Sequence, residues 1–318
     1  MDNGMKVVSV SNIKKTYKDV QALNGISFDV EKGEIFGIIG PDGAGKTSLF
    51  RILTTLLLAD SGTAVVDGND VVKEYKQIRQ KVGYMPGRFS LYQDLTVEEN
   101  LKIFATLFGT TIEENYHLVE AIYSQIEPFK KRKAGALSGG MKQKLALSCA
   151  LIHEPVVLFL DEPTTGVDPV SRKELWDVLK DLKQHGVTIL VSTPYMDEAE
   201  LCDRVALLQK GRVLEITDPS IAPESDGVEL FSLRSSRGAY AYLERIRSME
   251  ECKYAWLFGD ELHVSPKSPA DAERMNILMK QWDDPTLQWQ VIIPSIEDRF
   301  MGLIEQNSGE QSTNGETI

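Results

Sequence analysis

The densest chemistry in the 318-residue chain lies in one short run, Gly40-Pro41-Asp42-Gly43-Ala44-Gly45-Lys46-Thr47, followed by Ser48. Gly40, Gly43 and Gly45 let the backbone curl until successive N–H groups face a single anion. An apolar strand, Glu34 to Ile39, leads into this loop, and a helix is expected from Lys46 to about Leu57. That helix adds the positive end of its dipole to the same anion. The spacing is that of a phosphate-binding loop, G-x-x-x-x-G-K-[ST]. Lys46 would reach the β- and γ-phosphates of a nucleotide, and the Thr47 hydroxyl would ligate Mg2+.

Two further runs carry related chemistry. Val156 to Leu160 is an apolar strand that ends in Asp161 and Glu162. Acids delivered at a strand end suit metal-assisted hydrolysis: Asp161 would hold Mg2+ through its water shell, and Glu162 would polarise an attacking water. Between the two lies Leu137-Ser138-Gly139-Gly140-Met141-Lys142-Gln143. Here Ser138, the N–H groups of Gly139 and Gly140 and a helix running to about Ile152 make a second anion site.

With these three runs in this order, the chain resembles the ATP-binding subunits of ABC transporters. The fold this implies is α/β: a P-loop NTPase (ABC ATPase) domain with a helical subdomain. ATP and Mg2+ are the expected cofactors, with Gly40, Asp42, Gly43, Ala44, Gly45, Lys46, Thr47 and Ser48 around the phosphates. In the family the Ser138–Gly140 turn faces the γ-phosphate bound to a second nucleotide-binding subunit, so two subunits sandwich two ATP molecules. Whether they are two copies of one chain or two different chains is open. A separate integral membrane permease is implied, which places the chain in the cytoplasm, peripheral to the inner face of the plasma membrane. Tyr17 matches the family's adenine-stacking aromatic, and Thr165-Gly166-Val167-Asp168 its D-loop. Leu95-Thr96-Val97-Glu98-Glu99-Asn100, Gly166-Val167-Asp168-Pro169 and Pro294-Ser295-Ile296-Glu297-Asp298-Arg299-Phe300 look like the type-2 exporter branch, so export is the expected direction. The resemblance is strong over residues 5–217 and weak over 220–304.

Two positions depart from the family. After Tyr84-Met85-Pro86, where the family places a Mg2+-ligating Gln, this chain has Gly87, with Gln93 further along. After Val191-Ser192-Thr193, where the family has a His on the γ-phosphate, it has Pro194. Proline offers neither an N–H nor a polar side chain. His153 and His185 lie on other elements and read as surface residues. Both losses should weaken turnover more than binding. One reading is therefore a degenerate or regulatory half that lends its intact Ser138–Gly140 to a partner's complete site. The retained Glu162 argues for a working ATPase. A soluble family member acting in translation or DNA repair fits less well, because the chain has one P-loop and no heptad run.

The elements around these residues alternate between strand and helix, as a largely parallel sheet requires. Strands are expected at Val7–Val10, Ile26–Val30, Thr63–Val66, Val82–Met85, Val187–Val191 and from Arg204. Thr96 and Glu99 offer a capping box for a helix from Val97 to Phe108, and further helices are expected over Glu113–Phe129, Ser171–His185 and Met196–Cys202. Asp218 to Gly227 is a candidate linker, rich in Pro, Ser, Asp and Gly. Beyond it the order is βαββαβ plus a terminal helix, a small α+β domain of ferredoxin-like arrangement over 220–304. Its elements read as Val228–Leu233, Tyr240–Met249, Tyr254–Leu257, Glu261–Val264, Ala270–Gln281, Leu287–Ile293 and Ile296–Ile304. Polar residues 306–318 read as a disordered tail.

Composition narrows the partners. With 35 basic and 47 acidic residues the net charge is −12, and the one dense basic run, Lys130–Lys133, is too small for a nucleic-acid footprint. The three cysteines, Cys149, Cys202 and Cys252, are scattered and odd in number, as expected of reduced cytosolic thiols with no metal cluster. No signal peptide is expected, and no apolar run approaches the roughly 18 residues of a membrane span.

Overall fold

The computed structural model describes residues 5–221 and 229–313, with side chains described as far as Gln306. Most of the expected linker lies outside the described residues. The chain divides into two compact units, Met1–Pro219 and Ser220–Ile318.

In the first unit the elements run β1 (Lys6–Tyr17), β2 (Val20–Glu31), β3 (Ile35–Ile39), α1 (Lys46–Leu53), β4 (Ser61–Val66), β5 (Asn69–Asp70), α2 (Tyr75–Lys81) and β6 (Val82–Met85). Then follow α3 (Val97–Leu107), α4 (Tyr116–Tyr123), α5 (Gly139–Leu151), β7 (Val157–Asp161), α6 (Pro169–Gln184), β8 (Thr188–Thr193), β9 (Arg204–Gln209) and β10 (Arg212–Thr217). Every residue of β3, β7 and β8 is buried. Strands buried this fully, and apolar but for Thr188, Ser192, Thr193 and the terminal Asp161, form the centre of a sheet covered on both faces. The six-stranded sheet has the order β10-β9-β3-β8-β7-β6, parallel except for the β9–β10 hairpin. A second, antiparallel sheet, β2-β1-β4-β5, shares a core with it. Phe28 stacks on Phe36 at 5.3 Å between ring centroids, and Phe50 meets Phe159 edge-on at 5.7 Å. α3 and α4 pack on α5 as the helical subdomain.

Several elements differ from the sequence expectation, each for a local reason. β1 and β2 are 12 residues each, far longer than the apolar cores Val7–Val10 and Ile26–Val30. Register shifts along their pairing break the two-residue alternation that would have shown it. α1 stops at Leu53 because Thr55 takes a left-handed backbone, φ 64°. The helix expected over Glu113–Phe129 is split: α4 ends at Tyr123, and Pro128 starts a separate 3-10 turn over Glu127–Phe129. Met196–Leu201 is a 3-10 helix, and α2 has no counterpart in the sequence reading.

The second unit contains β11 (Leu230–Arg234), α7 (Tyr240–Arg247), β12 (Cys252–Phe258), β13 (Glu261–Pro266), α8 (Pro269–Met279), β14 (Gln288–Ile292) and α9 (Ile296–Thr313). Its sheet is antiparallel in the order β12-β13-β11-β14. That order is the connectivity of a ferredoxin-like split βαβ unit. Leu262 and Val264 of β13 join Leu243 and Ile246 of α7 and Met275 and Met279 of α8 in one core. His263, between them, must point to the opposite face. There it meets α9: Asp298 Oδ1 lies 2.6 Å from His263 Nδ1 and accepts from Trp256 Nε1 at 3.2 Å. Asp298 Oδ2 accepts from the Ser295 N–H and hydroxyl, at 2.8 and 2.7 Å. α9 continues to Thr313, so the backbone of 306–313, expected within a disordered tail, is helical. No proline interrupts that polar stretch, and polarity alone does not stop a solvated helix; residues 314–318 lie outside the described residues.

The His263–Asp298 pair predicts a pH dependence. Burial lowers the His263 pKa, but the bond and charge of Asp298, with Glu261 Oε1 3.7 Å from Nε2, outweigh it and the folded pKa is raised. Burial raises that of Asp298, but the His263 and Ser295 bonds leave it lowered. The raised imidazole pKa stabilises fully below its unfolded value of about 6.5 and loses that effect as pH climbs through the folded value. The lowered carboxyl pKa stabilises above about 3.9 and is lost as pH falls through the folded value. Thermal unfolding followed by tryptophan emission should show the second unit most stable between about pH 4 and 6.5. Asp298→Asn should flatten the alkaline limb, and an unchanged limb would remove this pair as its cause.

Candidate functional site

The site is assembled by three strand ends. Parallel pairing sets Ile39 beside Thr193, and Ser192 beside Asp161. The loop after β3, the acids at the end of β7 and the turn after β8 therefore meet at the carboxyl edge of the sheet, where open α/β sheets bind ligands. Backbone bonds lock them: Gly40 N–H donates to Thr193 O at 3.3 Å, and Glu162 N–H to Ser192 O at 3.0 Å.

Within the loop, Gly43 and Gly45 have φ of 78° and 108°, a left-handed backbone that favours glycine. No side chain caps α1, so its first N–H groups open onto the loop's hollow. Lys46 is buried; its ammonium donates to Gly40 O at 2.8 Å and Pro41 O at 3.1 Å, and lies 3.3 Å from Glu162 Oε1. Ala44 is buried, Thr47 and Ser48 are half-buried in the first turn of α1, and Asp42 is exposed on the outer side of the loop. An uncapped helix start, a curled loop and a buried ammonium fit a polyphosphate. Tyr17, at the end of β1, stands over this turn, its hydroxyl 3.3 Å from Ser48 Oγ.

The acids differ in setting. Asp161 is buried and accepts from Ser192 Oγ at 2.6 Å. Glu162 is partly open to solvent and has φ 52°, a conformation that few non-glycine residues adopt. Its N–H also lies 3.1 Å from Ser192 Oγ, and Thr165 Oγ1 donates to its carboxylate at 3.4 Å. Beside them, burial and the charge of Asp161 push the Tyr84 phenol up to about 12, so it stays neutral. Ser192 and Thr193 are supporting residues to which the motif reading gives no role, and Thr165, read as part of the D-loop, is a third. Polar Ser192-Thr193 closing an apolar strand was the available signal.

The Ser138–Gly140 turn lies apart from the loop, against the D-loop. Ser138 caps α5, its Oγ accepting from Met141 N–H at 3.3 Å. A methyl group on Gly139 would come 3.1 Å from Gly166 O, and one on Gly140 2.6 Å from Ser171 Oγ. Asp168 caps α6, and hydrogen bonds from Ser171 hold its carboxyl below the usual range. Gly87 lies against the acids: a side chain there would start 3.0 Å from Asp161 O. Gln93 is held elsewhere, its carbonyl accepting from Gly135 N–H at 2.9 Å. Of the two histidines read as surface residues, His185 is exposed. His153 is not: it stacks on Phe108 with centroids 3.7 Å apart, and burial lowers its pKa.

A phosphate-binding loop, paired acids at a strand end and a second glycine turn before them define a P-loop nucleotide-binding domain. Residues 23–165 match the family described as ABC transporter. The chain is 36% identical to the probable multidrug ABC transporter ATP-binding protein YbhF of Escherichia coli, over 94% of this chain and 52% of that protein. It thus spans about half the length of that relative. It is 39% identical to the Nod factor export ATP-binding protein I of Burkholderia lata, over 74% of this chain and 81% of that protein. To the linearmycin resistance ATP-binding protein LnrL of Bacillus subtilis it is 33% identical, over 89% and 96%. A dimeric post-hydrolysis structure of the ATP-binding cassette MJ0796 with ADP and Pi matches 66% of this chain and 98% of its own, with TM-score 0.61 and 27% identity. The chain belongs to the ATP-binding proteins of the ABC transporter family.

The packing of Gly140 is directly testable. Gly140→Ala should destabilise the first unit by about 1–3 kcal/mol, the usual cost of overpacking. Adding Ser171→Gly should recover part of it, since the Ser171 Cβ would also lie only 2.9 Å from the new methyl. Denaturant melts of the single and double variants measure this; equal stabilities would rule out the contact.

Proposed function

We propose that the chain binds ATP with Mg2+, hydrolyses the γ-phosphate bond, and powers a separate membrane-spanning permease in the export direction. The observation that carries this reading is the meeting of Lys46, Asp161 and Glu162 at one sheet edge, with Lys46 3.3 Å from Glu162. Lys46 and the loop N–H groups would hold the phosphate charge, and Tyr17 would stack on the base. Thr47 and Asp161 would hold Mg2+, which supplies charge neutralisation on the phosphates. Glu162 would orient the attacking water and accept its proton.

Among the described residues no helix is long and apolar enough to cross a membrane. In this reading the permease is another chain, and this one sits in the cytoplasm at the membrane's inner face. A second nucleotide-binding subunit would face Ser138, Gly139 and Gly140, as the dimeric cassettes of the family suggest. The direction of transport follows relatives whose names specify Nod factor export and linearmycin resistance.

Gly87 and Pro194 favour a second reading, a weakly hydrolysing half of a heterodimer. Steady-state ATPase assays of the full chain separate the two. Under the first reading Glu162→Gln lowers kcat by about 10²–10⁴-fold, the range of a lost general base, with ATP still bound, and Lys46→Ala weakens binding itself. Under the second, wild-type turnover is already at that floor, and Glu162→Gln changes nothing. Copurification with a multi-span membrane protein tests the permease assignment.

A further inference from the structure

The first turn of α6 carries Arg172, and its guanidinium lies over the ring of a residue just beyond β8. Its central carbon is 4.2 Å from the ring centroid of Tyr195. Its Nε is 3.5 Å from Glu198 Oε1, and its Nη1 is 3.4 Å from Asp197 Oδ2. Glu198 is 1% exposed, yet neither of its oxygens accepts a hydrogen bond from a protein group. Among the described residues Arg172 is the cation within 4 Å of it. An ion pair whose carboxylate is buried with this little hydrogen bonding is a poor source of stability, since the cost of desolvating that charge offsets the attraction. Its value must be sought in what it holds in place.

What it holds is specific. Tyr195 N–H donates to Thr193 Oγ1 at 3.0 Å, and Thr193 O accepts from Gly40 of the phosphate-binding loop. The preceding residue, Ser192, is bonded to both Asp161 and Glu162. On the other side, α6 starts at Asp168 of the D-loop, and its Ser171 abuts Gly140. One side chain thus joins the loop fixed to the nucleotide pocket to the helix fixed to the Ser138–Gly140 turn. Between them lies Pro194, which has no polar side chain to place itself.

We propose that Arg172 is a positioning residue for ATP hydrolysis: stacked on Tyr195 and paired with Glu198, it locks residues 193–198 to the first turn of α6 and so fixes the backbone at Pro194. This rests on the ATPase reading above. The lock substitutes a contact behind the loop for the side-chain contact that position 194 cannot make.

The test uses the full chain and compares wild type with Arg172→Ala, Tyr195→Leu and Tyr195→Phe. It reads kcat, KM for ATP, the stoichiometry of a bound fluorescent ATP analogue, and amide hydrogen exchange over 193–198. Arg172→Ala and Tyr195→Leu should lower kcat by about 10- to 100-fold, the effect of a misplaced site element. KM should stay within about threefold, because ground-state binding is untouched. Bound stoichiometry should hold, exchange over 193–198 should quicken, and Tyr195→Phe, which keeps the ring, should recover most of the loss. Tyr195→Leu with wild-type kcat and exchange would overturn the proposal, as would a fall in kcat matched by a fall in stoichiometry. Wild-type chain with no turnover would sink the ATPase reading and this inference with it. Wild-type turnover with unaffected variants would sink only this inference.

Discussion

The first unit depends on β3, β8 and β7 ending level with one another. Parallel pairing fixes that level, and full burial of all three strands on both faces holds it. A one-residue slip of β7 would exchange the faces of Leu160 and Asp161 and put a carboxylate into the apolar core. The acids stand beside the phosphate-binding loop because this register sets Asp161 beside Ser192 at the strand ends.

Close approach then sets which residues the loops can contain. A methyl group on Gly40 would come within 2.1 Å of Leu208 O, and one on Gly45 within 2.4 Å of Ala22 O. Both clashes are with backbone, so no side chain can swing away to relieve them. Glu162 shows the opposite solution. It needs a carboxylate and must accept a left-handed backbone, at a cost of about 1–2 kcal/mol. Ser192 offsets this, since its carbonyl and hydroxyl both lie within reach of the Glu162 N–H while the hydroxyl donates to Asp161.

Much of this was legible in the sequence, for identifiable reasons. The central strands are largely apolar runs, so the strands ending at Ile39 and Asp161 could be read within a residue. The capping box at Thr96 and Glu99 names its own helix start, and both of its bonds are present. The strand and helix order of the second unit was also legible, because turns such as Gly259-Asp260 separate short alternating segments. The bulged β1 and β2 were not, because register shifts erase the alternation that reveals a strand. His153 was misread because a histidine near a helix end carries no local sign of a stacking partner 45 residues earlier. Arg172, Tyr195 and Glu198 were missed for the same reason: their relation exists only once α6 and the turn after β8 lie together.

The two departures at the site take on a physical meaning in this packing. In the proposed function, anion binding relies on backbone N–H groups and one buried ammonium, none of which belongs to residue 87 or 194. The cradle therefore survives both changes intact. Gly87 is more than a missing side chain, however. The chain after β6 runs so close to Asp161 O that a Cβ at position 87 would lie 3.0 Å from it, so one of the two would have to give. A glutamine could return there only if the turn around Asp161 and Glu162 opened by a few tenths of an ångström, and that turn is pinned by Ser192. A side chain at position 87 therefore needs the neighbouring backbone to give as well as a change of residue.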